Sequence, residues 1–156
     1  MTQVDQERLL QDGRWLYIQL EQCVSRRLAP RGITAVQSHI LLFLLCREEQ
    51  GTLLTDIHRA FGYSMATLSG MVKRLREKGY IRVERCEEDD RRRLLFATEK
   101  ARQLWPALEE TIQGVHSRLY DGFSQEELSA LDHLQGKLLQ NLSALTAQSQ
   151  KEESKS

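Results

Sequence analysis

The chain is short of the residues that build secreted or membrane-embedded scaffolds. Its 156 residues include three cysteines, Cys23, Cys46 and Cys86, widely spaced and without a C-x-x-C pair. An odd, scattered set of cysteines describes reduced thiols in a cytoplasmic protein rather than a disulfide framework. The longest apolar run, Ile40–Cys46, has seven residues, against about 20 for a bilayer-spanning helix, so no membrane partner is expected. The polar, mixed-charge start from Met1 to Arg8 reads as lacking a secretory signal. Two prolines and nine glycines leave long stretches free for helix. A chain of this length buries about 68–70% of its unfolded surface and needs no metal or disulfide to hold a core. Wholesale disorder, collagen, a secreted disulfide mini-protein and an integral membrane protein are therefore excluded.

Enzyme signatures are missing as well. There is no G-x-S-x-G, no phosphate-cradling glycine loop, no H-E-x-x-H and no paired Cys/His signal. The expectation is a protein that is not an enzyme and carries no cofactor.

What is present is an uneven distribution of charge. The 22 basic and 22 acidic residues cancel overall. Residues 1–50 are neutral, residues 51–100 carry net +3, and residues 101–150 carry net −3. A basic middle between neutral and acidic ends is the pattern of a local polyanion-binding surface.

Hydrophobic periodicity supplies the elements. Leu9, Leu16, Leu20, Val24 and Leu28 form one stripe of a long amphipathic helix, ended by Ala29-Pro30-Arg31-Gly32. Thr34-x-x-Gln37 is a capping box that opens a second, strongly apolar helix running to about Cys46, itself a core position. Gly51-Thr52 starts a short third helix with Leu54, Ile57 and Phe61 inside and Gly62 at its end. Ser64 caps a fourth, with Leu68, Met71 or Val72, and Leu75 facing inward and Gly79 beyond its end. Two short helices joined by Gly62-Tyr63 make a helix-turn-helix.

Ile81-x-Val83-x-Arg85 then alternates with period two, Glu87–Arg91 is too polar to bury, and Leu94-Leu95-Phe96 returns as a second strand. Thr98-Glu99 reopens helix through Leu104, Leu108, Ile112, Val115 and Leu119, with Pro106 tolerable near the first turns or at a kink. Ser124-x-x-Glu127 is another capping box, followed by a coiled-coil-like seam of Leu128, Leu131, Leu134, Leu138, Leu142 and Leu145. The fold class expected is mainly α with a small β-wing, a winged helix-turn-helix flanked by long terminal helices.

At this point the chain resembles the MarR family of transcriptional regulators, over about residues 5–148. The resemblance is carried by Leu28-Ala29-Pro30-Arg31-Gly32-Ile33-Thr34-Ala35-Val36-Gln37, by Leu75-Arg76-Glu77-Lys78-Gly79-Tyr80-Ile81, and by Arg85 and Asp89-x-Arg91 followed by Ala97-Thr98-Glu99-Lys100-Ala101. Two positions depart from it: Gly70 replaces a larger residue, and Ala101 replaces a glycine. The resemblance implies a dimerisation helix at residues 1–32, a DNA-binding domain at 33–98 and dimerisation helices at 99–148; the short polar tail at 149–156 is expected from its own residues to be disordered.

It also implies partners and roles. Double-stranded DNA is the expected partner, read as a palindrome by a homodimer that probes two successive turns of the duplex. The fourth helix would enter the major groove with Ser64, Met65, Ala66, Thr67, Ser69 and Gly70, while Lys73 and Arg74 bind phosphate. Asp89 matches the acid that braces the wing and Arg91 the arginine that enters the minor groove, with Arg85, Arg92 and Arg93 contacting phosphate or pairing with the acids. Leu9, Leu16, Leu20, Leu119, Leu131, Leu138 and Leu142 would pair with a second copy.

Family members release DNA on binding an effector. Trp15, His39, Phe43 and Trp105, with Tyr17 and Tyr120, are candidates to line a small-molecule site, and equally candidates for the core. A zinc-responsive alternative rests on Glu21, His39 and Glu109, and a redox-responsive one on Cys23 beside Arg26 and Arg27. A winged-helix module that binds protein instead of DNA is the remaining alternative.

Overall fold

The computed structural model describes residues 3–153. The chain order is α1 (Gln6–Leu28), a 3-10 turn (Ala29–Arg31), α2 (Ala35–Leu45), α3 (Leu54–Phe61), α4 (Met65–Glu77), β1 (Ile81–Arg85), β2 (Arg93–Ala97), α5 (Glu99–Leu119) and α6 (Gln125–Glu153). The fold is the mainly α, winged helix-turn-helix class expected from the pattern. The molecule divides into two compact units, one ending at His116 and the other beginning at Ser117.

The first unit holds the core. Leu28, Ile33, Ile40, Leu41, Leu44, Ile57, Leu68, Leu75, Ala101 and Leu108 are fully buried or nearly so. They come from every helix of the unit, so α2 sits at the centre, against α1, α4 and β2. Burying side chains of this size contributes about 1.5–3 kcal/mol each relative to exposure. The apolar composition of α2 that set it apart in sequence is the signature of a helix covered on most sides.

Local chemistry fixes the boundaries. Thr34 Oγ1 accepts the Gln37 amide at 3.2 Å while Gln37 Oε1 accepts the Thr34 amide at 3.0 Å, the reciprocal capping box. The end of α4 is closed by a Schellman pair, with the Tyr80 amide donating to the Leu75 carbonyl and the Gly79 amide to that of Arg76, both at 2.9 Å. This closure needs a left-handed residue, and Gly79 takes φ 81°.

β1 and β2 pair antiparallel, Ile81 opposite Ala97 and Arg85 opposite Arg93. Thr52 is not the start of α3. Its amide and carbonyl both bond Leu95, at 3.0 and 2.8 Å, adding a one-residue third strand to the wing. α3 begins two residues later, where the Asp56 carboxylate accepts the Leu53 amide at 3.0 Å. The β2 edge competes for the Thr52 backbone and wins, because a sheet satisfies both of its polar groups.

Cys46 is exposed rather than core, because it follows the last residue of α2 where that helix reaches the surface.

In the second unit, Ser124 and Glu127 form the expected capping box at 2.8 and 3.1 Å. α6 continues to Glu153, so helix occupies residues 149–153 where a disordered tail was expected, and residues 154–156 of that tail lie outside the described residues. None of the described α6 residues is buried, and Leu134, Leu138, Leu139, Leu142 and Leu145 are all at least 56% exposed. Among the described residues no single helix is long and apolar enough to cross a membrane.

Candidate nucleic-acid interface

α4 is held from inside and open outside. Leu68 and Leu75 anchor it in the core, while Ser64, Met65, Ala66, Thr67, Ser69, Gly70, Lys73 and Arg74 are exposed. Ser64 Oγ accepts the Thr67 amide at 3.1 Å and donates to Thr67 Oγ1 at 2.8 Å, which fixes the first turn. The Thr67 hydroxyl proton is left for an outside acceptor. A methyl group added at Gly70 would meet nothing within 4 Å, so this face is small, polar and unobstructed. Its positive helix N-terminus and last-turn cations suit an anion.

The wing carries the second cluster. Cys86 donates its amide to the Arg92 carbonyl at 3.1 Å, and the Asp89 carbonyl accepts the Arg92 amide at 3.0 Å, closing the turn. The Asp89 carboxylate accepts the Arg91 amide at 3.0 Å. Arg93 donates to the Asp90 carbonyl at 2.7 Å. Arg85, Arg91 and Arg92 stay exposed. Of the four acids in this turn, Asp89 thus spends its carboxylate on a backbone amide of the turn itself. A planar, weakly hydrated guanidinium held at such a tip matches the potential of a narrow groove.

A third cluster was only half visible in sequence. The Tyr63 hydroxyl, in the turn between α3 and α4, donates to Glu21 Oε1 at 2.6 Å and lies 3.0 Å from His39 Nδ1 and 3.2 Å from the Tyr17 hydroxyl. His39 stacks on Phe61 with ring centroids 5.5 Å apart, and Phe61 meets Phe43 edge-on at 5.7 Å. Burial pulls the His39 pKa below its ordinary 6.5, Glu21 opposes that, and His116 adds to it. Burial and then the bond to Glu21 push the Tyr63 phenol far above its ordinary range, so it stays protonated.

Of the effector-site candidates, His39 and Phe43 therefore come together around Phe61. Trp105 is half-buried against the core, Trp15 is 61% exposed, and Tyr120 lies in the second unit, edge-on to Phe123 at 5.9 Å. Glu21 and His39 converge on Tyr63 rather than on a metal position, and Glu109 bonds Gln113 instead of joining them. Among the described residues no group of three His, Cys, Asp or Glu side chains is arranged to hold a metal ion, so the Glu21, His39 and Glu109 set does not assemble. Tyr63 and Phe61 were missed as a functional cluster. The one local trace was Tyr17 and Glu21, four apart on one face of α1.

Residues 31–92 match the MarR family model. Solved structures share the fold. The DNA complex of MepR from Staphylococcus aureus superposes with a TM-score of 0.78 at 23% identity, over 89% of this chain and 99% of that one. A putative MarR-family regulator from Listeria monocytogenes, solved with a 26-mer DNA, gives 0.74 at 21% identity, over 92% and 91%. Wild-type MarR from Escherichia coli, in its apo form, gives 0.69 at 20% identity, over 89% and 99%. The chain is thus similar to the MarR family over residues 31–92, and the fold around that segment is the winged-helix fold of these structures.

Proposed function

We propose that the protein is a sequence-specific transcriptional repressor in the cytoplasm that binds a palindromic operator as a homodimer and leaves it when a small-molecule effector binds. The observation that carries this reading is the pairing of an exposed, small-residue face on α4 with a wing whose tip presents Arg91. Ser64, Met65, Ala66, Thr67, Ser69 and Gly70 read base edges, Lys73, Arg74, Arg85 and Arg92 neutralise phosphate, and Arg91 enters the minor groove with Asp89 bracing it. The DNA-bound relatives of the same fold support this assignment.

The dimer is supported by apolar exposure. Leu9 and Leu16 on α1 are 57% and 53% exposed, and Leu138 and Leu142 on α6 are 62% and 60% exposed. Rows of leucines facing water are the mark of an interface. A second copy covers them, with Leu20, Leu119 and Leu131 at their half-buried margins. Residues 1–32 and 99–148 then serve as dimerisation segments around a DNA-binding domain at 33–98. Two copies place two recognition helices one duplex turn apart, about 34–36 Å. Gel-shift titration against duplexes selected from a random pool tests the reading. Inverted repeats should be enriched, and affinity should fall steeply with salt as counterions are released. Retention of no duplex in preference to another would contradict it.

A further inference from the structure

The Tyr63 hydroxyl ties two separate elements, α1 and α2, to the entry of the recognition helix. Tyr63 is the residue before Ser64, the N-cap of α4. A phenol has one proton and two lone pairs. The Glu21 carboxylate only accepts, so the proton goes there, at 2.6 Å. Both lone pairs must then accept, one from Tyr17 at 3.2 Å and one from the Nδ1–H of His39 at 3.0 Å. The hydroxyl is saturated, and His39 is fixed with its proton on Nδ1. The Tyr63 carbonyl is held too, by His58 Nδ1 at 2.6 Å. The ring is flanked by those of Phe61 and His39, at 6.1 and 6.4 Å.

Packing alone would orient the ring, but it would not select one position along it. Directional bonds do, and here they come from Tyr17 and Glu21 on α1, His39 on α2 and His58 on α3. α1 is also the helix that the proposed dimer uses. We propose that Tyr63 is a positioning residue that transmits the placement of α1 in the dimer to the start of α4, so that the separation of the two recognition helices is held to one value. The site thereby discriminates between inverted repeats by the spacing of their half-sites. This rests on the function proposed above and deepens it.

The test measures a ratio rather than an affinity. The probe is the inverted-repeat duplex that the wild-type protein selects from a random pool, and the same duplex with one base pair inserted between its half-sites. Wild-type protein should prefer the first strongly. Tyr63→Phe keeps the ring and removes the hydroxyl. It should leave dimer mass and affinity for unrelated DNA unchanged and lower the spacing preference about tenfold, as the directional bonds of one hydroxyl are lost. Tyr17→Phe, at a 47% exposed position that tolerates the change, should lower the preference in the same direction. The double variant should be no worse than Tyr63→Phe alone, because both act through one hydroxyl. Wild-type preference persisting in a folded Tyr63→Phe overturns the inference, and if that variant does not fold, an unchanged preference in Tyr17→Phe overturns it. If the wild-type protein selects no inverted repeat, the proposed function itself fails, which is a distinguishable outcome.

Discussion

The carboxylate of Asp89 accepts the backbone amide of Arg91 at 3.0 Å, a bond within the wing turn in which Arg91 stands exposed. Acid and arginine therefore do different work: one shapes the turn, and the other is free to meet a partner.

Replacing Arg91 with alanine should cost about tenfold or more in affinity for the selected operator, as expected for one lost groove contact of about 1–3 kcal/mol. Asp89→Ala should cost less, since it loosens the tip without removing the contacting group. Neither change should alter the melting temperature or the dimer mass. Gel-shift titration with parallel sedimentation checks both.

Thr52 is fully buried in the strand that joins Leu95, and its Oγ1 has no hydrogen-bond partner. Thr52→Val keeps the shape and removes the unpaired hydroxyl. Stability should rise by about 1 kcal/mol, read as a higher urea midpoint at unchanged slope.

Just before it, Gly51 has φ 71°, and a Cβ there would sit 2.6 Å from Cζ of the Phe96 ring. Gly51→Ala adds left-handed backbone strain to a clash with a buried aromatic. A loss of about 2–3 kcal/mol is expected in the same unfolding assay.

His39 makes stability depend on pH. In the folded chain its pKa lies below the ordinary 6.5, because burial outweighs the opposing charge of Glu21, with His116 adding to the depression. The unfolded chain thus binds the proton more readily as pH falls below 6.5, and folding stability declines there. Above 6.5 the contribution is fully present. Urea unfolding at stepped pH should show a slope in the wild-type protein that is reduced in His39→Gln. Tyr63, which shares a bond with His39, stays protonated throughout and adds nothing to the slope.

The elements that were legible in the sequence were those whose cause is local. Thr34 with Gln37, Ser124 with Glu127, Ser64, Gly62 and Gly79 set boundaries through bonds within a few residues, and each occurs as expected. Thr52 was misread because a Thr after Gly resembles a helix start, while its real partner, Leu95, is distant in sequence. Cys46 was misread because an apolar run does not show where a helix surfaces. The Tyr63 cluster was the least legible. Its partners lie 46, 42 and 24 residues away, and polar contacts over such separations leave no period to find.

Assembly and DNA binding meet in a single measurement: sedimentation of the protein with and without the selected inverted-repeat duplex, for the wild type and for Leu138→Glu with Leu142→Glu. The account predicts a wild-type mass of two chains, a complex of two chains per duplex, and a charged variant that sediments as one chain and loses the operator. A wild-type protein that sediments as one chain and leaves the duplex unshifted would contradict it.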